Sequence, residues 1–130
     1  MGKILWCTGN SRSGKSTLAK NMLELVREST CVNDQMPVWL DGDEVRQVWP
    51  ELGFSKEDRI ENNMRFARLA KILYKQGFSV VVSTICPYRE LRDKIRMFLG
   101  RNNVQFIFLS GGKEPSEMYP YEPRQEGEGE

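Results

Sequence analysis

Four short apolar runs alternate with three stretches of helical periodicity along this chain. The runs are "KILWCT" (3–8), "PVWLD" (37–41), "FSVVVST" (78–84) and "NVQFIFLS" (103–110). The third is almost continuously apolar, as expected of a parallel strand covered on both faces. In "TLAKNMLELVRES" (17–29), Leu18, Met22, Leu25 and Val26 recur at helical spacing with Lys and Glu between them. "EDRIENNMRFARLAKILYKQ" (57–76) places Ile60, Met64, Ala67, Ala70 and Leu73 on one stripe, and Gly77 can end it. "PYRELRDKIRMFLG" (87–100) opens on Pro87 and stops at Gly100, with Leu91, Ile95 and Phe98 as its buried stripe. Strands alternating with helices predict an α/β domain with a mostly parallel sheet.

After Gly111–Gly112 the periodicity ends. "KEPSEMYPYEPRQEGEGE" (113–130) has three prolines and many Glu. Residues 1–113 are therefore read as the domain and 114–130 as an acidic tail, disordered at least from Gln125. Tyr119 and Tyr121 favour the alternative of a tail folded back on the domain.

The formal charge of +1 hides an asymmetry, because residues 114–130 hold six Glu and one Arg, a net of −5, against +6 for the rest. A mildly basic body suits anionic ligands, and the chain lacks the long Lys/Arg tract of a nucleic-acid surface. No apolar run reaches the roughly 18 residues of a membrane span, and "MGKILW" does not read as a signal peptide. Cys7, Cys31 and Cys86 are widely separated and unpaired in spacing, which suits idle thiols in a reducing cytoplasm. The chain has no His, so proton handling falls to a carboxylate or to phosphate.

The strongest chemical signal is "GNSRSGKST" (9–17), spelled G-x-x-x-x-G-K-[ST]. In this pattern Gly9, Asn10, Ser11, Arg12, Ser13 and Gly14 let the backbone N–H groups cradle phosphates. Lys15 reaches the outer phosphates, Ser16 can sit on Mg²⁺, and Thr17 continues into the helix. A strand before the motif and a helix after it complete the context it requires. The stretch alone leaves ATP or GTP open.

A second cluster, "LDGDEVR" (40–46), sets Asp41, Asp43 and Arg46 at the end of the second predicted strand, where an open α/β sheet builds its site. The carboxylates could hold water on Mg²⁺, orient an acceptor hydroxyl or take its proton, while Arg46 can fork onto an anion. A turn in which Asp43 only caps the next helix is the plainer alternative. In "GFSKEDRIENNMR" (53–65), Ser55 is a natural N-cap and Asp58 falls three residues on. Arg59, Asn62 and Arg65 then follow on one side of a helix, two guanidiniums about an amide, as a shelf for sulfate or phosphate. Solvated surface charge is the competing explanation.

Taken together, residues 3–96 resemble the adenylylsulfate kinase family through four motifs in order: the phosphate loop, "LDGDEVR", "GFSKEDRIENNMRFARLAKILYKQG" and "VVVSTICPYRELRDKIR". The resemblance implies a P-loop fold and ATP-dependent phosphorylation of the 3′-hydroxyl of adenosine 5′-phosphosulfate. It also implies a cytoplasmic place in sulfate assimilation and, as a family expectation, a homodimer. By the same likeness Asp43 is the catalytic aspartate, working with Lys15, and Ser16 with Asp43 serves the metal. Asp41, Arg46, Phe54, Arg59 and Asn62 match acceptor-binding positions, as do Ile85, Cys86, Pro87 and Arg89 of an "ISPFR"-like segment.

Two departures stand out. Cys86 replaces a family serine that can carry phosphate, and direct transfer needs no such intermediate. After "FIFLS" the chain passes quickly to "YPYEP", similar to a late family segment, without the basic lid between them; the sheet is expected to be reduced on that side. A kinase with a different small acceptor and a catalytically silent nucleotide-binding module remain as alternatives.

Overall fold

A computed structural model describes residues 3–10, 14–29, 37–109 and 121–129. Ser11, Arg12, Ser13, Cys31, Ser110, Lys113 and Tyr119 lie outside the described residues. Strands β1 (Ile4–Thr8), β2 (Val38–Asp41), β3 (Val80–Thr84) and β4 (Val104–Phe108) form one parallel sheet in the order β2-β3-β1-β4. The helices are α1 (Lys15–Ser29), α2 (Gly42–Val45) with a 3₁₀ turn over Arg46–Val48, α3 (Lys56–Lys75) and α4 (Arg89–Leu99). All four predicted strands and all three predicted helices are present. None of the helices among the described residues is long and apolar enough to cross a membrane.

Register explains the layers. Ile4 pairs with Val80 and Val104, and Trp6 with Val82 and Phe106. With side chains alternating along each strand, these residues share one face, packed on Phe66, Ala67 and Ala70 of α3 and Leu91 and Ile95 of α4. Cys7 and Val81 belong to the other face and meet Ala19, Leu18 and Met22 of α1. Both faces of the inner strands are thus covered, giving the expected three-layer P-loop arrangement. Leu25 departs from the predicted stripe and stands 56% exposed, while Ala19 is buried against the sheet.

Local chemistry sets the start of α3. The Ser55 hydroxyl accepts the Asp58 N–H at 3.1 Å, as the spacing predicts. The Asp58 carboxylate reaches further back, accepting the Gly53 N–H at 2.8 Å, and so ties down the preceding loop.

Part of the acidic tail falls within the described residues. Its described part, 121–129, lies on the start of α4. Glu122 donates its N–H to the Pro87 carbonyl at 2.7 Å, and its carboxylate accepts the Arg89 N–H at 2.9 Å, at the positive end of α4. Glu128, buried, accepts a forked pair from buried Arg92 at 2.7 and 3.0 Å and a third bond from Arg96 at 2.9 Å. An acidic, proline-rich segment reads as solvated only while its buried cationic partners are unknown.

This network generates a stability prediction. Burial alone would raise the Glu128 carboxyl; hydrogen bonds from Arg92, the Gln125 N–H and Arg96 outweigh burial and bring it from 4.5 down to about 2. A lowered folded value means the stabilisation is present above about pH 4.5 and is lost as pH falls toward about 2. Glu128→Ala should cost about 3–5 kcal/mol at neutral pH, because two guanidiniums lose their shared carboxylate. Urea unfolding should show this gap shrinking only below about pH 4.5. A gap that is small at neutral pH, or unchanged by acid, contradicts the assignment.

Candidate active site

A cleft of about 850 Å³ opens at the carboxyl ends of β1, β2 and β3. Gly14, Lys15, Ser16 and Thr17 at the start of α1 line one side. Asp41, Gly42, Asp43 and Arg46, following β2, line another with Phe54, Arg59, Asn62 and Asn63. Ser83 to Pro87, at the end of β3, complete it.

On the phosphate side, Gly14 adopts φ 98°, a left-handed conformation that a residue with a Cβ rarely takes. Its carbonyl accepts the Leu18 N–H at 2.9 Å as α1 begins. Lys15 folds its Nζ onto the Asn10 carbonyl at 2.7 Å. Burial lowers its pKa, and Asp43 and then Asp41 oppose that, so the ammonium sits within the field of both carboxylates. The first turn of α1 carries no acidic residue, leaving its N–H groups and dipole open to an anion. Gly9 and Asn10 lead into this turn without lining the cleft.

On the opposite side, Asp41 is the residue that precedes α2 and makes no side-chain cap, and Asp43 lies inside α2. The plainer alternative, Asp43 as a helix cap, therefore does not hold. Gly42 is dictated by packing: a Cβ there would come 2.9 Å from the Ser83 carbonyl. This close approach brings the two acidic residues beside the end of β3. Arg46 donates to the Leu52 carbonyl at 2.8 Å and to that of Gly53, and its guanidinium stacks 4.1 Å from the centre of the Phe54 ring. The ring remains 69% exposed, an apolar shelf on the rim. Arg59 is buried and fixed through Nε to the Phe54 carbonyl at 2.9 Å.

Two predicted residues are placed elsewhere. Arg65 pairs with Glu61 at 2.8 Å and Glu51 at 3.7 Å, behind the cleft wall. Arg89 faces the tail, donating to the Glu126 carbonyl at 3.2 Å and pairing with Asp93 at 3.4 Å. Both are partly exposed arginines paired with neighbouring carboxylates, and neither lines the cleft.

Ile85, Cys86 and Pro87 do line the cleft, in a turn held from behind. The Thr8 hydroxyl donates to the Ile85 carbonyl, and Arg92 to the Cys86 carbonyl at 3.0 Å. Cys86 has φ 42°, and burial pushes its thiol up to about 12, which keeps it neutral and unreactive. Sequence reasoning missed Asn63, Ser83 and Thr84. The available signal was the pair of hydroxyls closing an otherwise apolar strand.

No group of three or more Cys, Asp or Glu among the described residues is placed to hold a metal alone. The cleft instead offers the Ser16 hydroxyl with Asp41 and Asp43. A sparse oxygen set fits Mg²⁺, which keeps waters and takes substrate phosphates as its other ligands.

Comparison with known proteins points the same way. The Adenylylsulphate kinase family profile matches residues 1–117. The chain is 36% identical over 123 residues to the adenylyl-sulfate kinase of Buchnera aphidicola subsp. Acyrthosiphon pisum, covering 89% of this chain and 58% of that one. Among solved structures, it is similar to the Mycobacterium tuberculosis APS kinase in complex with AMPPNP and APS, with TM-score 0.63 and 35% identity. That match covers 82% of this chain and 60% of the other. The hexameric APS kinase from Thiobacillus denitrificans matches with TM-score 0.78 and 30% identity, over 96% of this chain and 24% of that one. The chain spans about half the length of the curated relatives it matches.

The close approach at Gly42 is testable. Gly→Ala inside a helix ordinarily stabilises by about 0.5–1 kcal/mol. Here the added methyl should destabilise by about 1–3 kcal/mol, because backbone rather than a movable side chain opposes it. Urea denaturation of Gly42→Ala measures this, and equal or greater stability contradicts it.

Proposed function

This chain belongs to the adenylylsulphate kinase family, and we propose that it transfers the γ-phosphoryl group of ATP to the ribose 3′-hydroxyl of adenosine 5′-phosphosulfate. The observation that carries this reading is the two-sided cleft: a phosphate-loop helix start faces two carboxylates and an arginine–asparagine wall across one cavity. Phosphoryl transfer asks little covalent chemistry of a protein and depends on positioning and charge.

In this reading the start of α1 and Lys15 hold the β- and γ-phosphates, and Ser16 with Asp43 and Asp41 would hold Mg²⁺. Mg²⁺, when bound there, would neutralise negative charge on the phosphates. Asp43 orients the 3′-hydroxyl and accepts its proton as that oxygen bonds to the γ-phosphorus and the bond to the ADP oxygen breaks. Phe54 offers its exposed ring to the adenine, while Arg59 and Asn62 meet the sulfate and phosphate oxygens. Arg46 contributes by stiffening the loop that carries Phe54, through the carbonyls of Leu52 and Gly53.

Steady-state kinetics on three variants separates these roles. Lys15→Ala should lower ATP affinity and reduce turnover by at least about tenfold. Asp43→Asn should reduce kcat by about 10²-fold with little change in acceptor affinity. Arg59→Ala should chiefly raise the acceptor KM, since it removes a charge-assisted donor to an anion. Small and equal effects from Asp43→Asn and Arg59→Ala would contradict the acceptor side of the assignment.

A further inference from the structure

The chain has three tryptophans, and each donates its indole N–H to a polar residue of the cleft wall. Trp6 donates to the Thr84 hydroxyl at 2.8 Å, Trp39 to the Ser83 hydroxyl at 2.9 Å and Trp49 to Asn62 Oδ1 at 2.7 Å. An indole N–H can only donate, so each of these bonds fixes the direction of the next one in its chain. The Thr84 hydroxyl must pass its own hydrogen onward, to Asn63 Oδ1 at 2.7 Å. The Ser83 hydroxyl likewise donates to Asp41 Oδ1 at 3.1 Å, which holds that carboxylate from one side.

Trp49 has the most direct consequence. It meets Asn62 at the amide oxygen, so the Asn62 Nδ2 hydrogens are left at the cleft that this residue lines. Nδ2 makes no hydrogen bond among the described residues, and the rest of Asn62 is buried, with 7% of the residue exposed. The indole itself is rigidly held. Its ring meets Phe66 edge-on at 5.7 Å and 69°, and the Arg65 guanidinium lies 5.6 Å from its centre.

We propose that Trp49 is a positioning residue that locks Asn62 as a hydrogen-bond donor toward the acceptor, so that the wall beside Arg59 selects an oxyanion. The inference rests on the function proposed above for the choice of acceptor, but the orientation of the amide does not. A freely flipping Asn62 would present its oxygen half the time and meet an anion with repulsion. With the indole in place, the cleft presents only donors at that point.

Trp49→Phe keeps the aromatic packing and deletes the N–H. The expected result is an acceptor KM raised about five- to tenfold, the scale of one net hydrogen bond, with the ATP KM and kcat within about twofold of wild type. A merely structural role would move all three together or none, and either pattern overturns the proposal. A second measurement uses the wild-type chain and does not depend on the variant folding. In ¹H–¹⁵N spectra, adenosine 5′-phosphosulfate should shift the Asn62 side-chain amide while the Trp49 indole resonance stays in place. If that nucleotide moves no resonance in the cleft, the kinase reading fails, and inorganic sulfate titrated as the probe decides the role of Trp49. Movement of the Asn62 amide by sulfate supports it, and an unmoved Asn62 amide overturns it.

Discussion

A parallel sheet covered on both faces leaves one place for polar chemistry, the carboxyl ends of its strands. That constraint organises this molecule. Trp6, Val80 and Val82 are buried against α3 and α4, and Cys7 and Val81 against α1, so neither face has room for a ligand. The strands end instead on Thr8, Asp41 and Thr84, at the rim of the cleft or close behind it. The close backbone approach at Gly42 then joins the end of β2 to that of β3. The start of α1 and the Asp41–Arg46 wall face each other across the end of β3, which lies between β1 and β2 in the sheet.

The second organising element is Arg92, a guanidinium with no exposure on a helix whose buried side also carries Leu91, Ile95, Arg96 and Leu99. A buried cation persists only with its hydrogen bonds met. Here Glu128 supplies a fork, and the carbonyls of Cys86 and Pro123 supply the rest. The same side chain therefore secures the tail and the turn that floors the acceptor side of the cleft. Tyr121 closes this arrangement, sharing a hydrogen bond with Thr8 at 3.2 Å.

Much of this was legible in the sequence, and the failures have a common cause. The four strands, and the presence of Lys15, Asp41, Asp43, Arg46, Arg59 and Asn62 along one cleft, follow from local pattern and motif order. Arg65 and Arg89 pair with Glu61 and Asp93, because neither helical spacing nor motif order reveals which carboxylate stands nearest a charged side chain. The Arg92–Glu128 pair was invisible for the same reason, its partners being 36 residues apart. Trp6 and Trp49 belong to the core and Trp39 packs partly buried beside it, and sequence pattern gives no sign that their N–H groups meet residues of the cleft wall. The left-handed turn at Cys86 left no signal, since the residue there is not glycine.

The central claim is that one cleft at the strand ends holds both donor and acceptor for direct phosphoryl transfer. The most direct measurement is ³¹P NMR of the chain with ATP, Mg²⁺ and adenosine 5′-phosphosulfate, followed over time. The account predicts ADP and a new 3′-phosphate monoester appearing in equal amounts. ADP accompanied only by inorganic phosphate, with the acceptor unchanged, would contradict it.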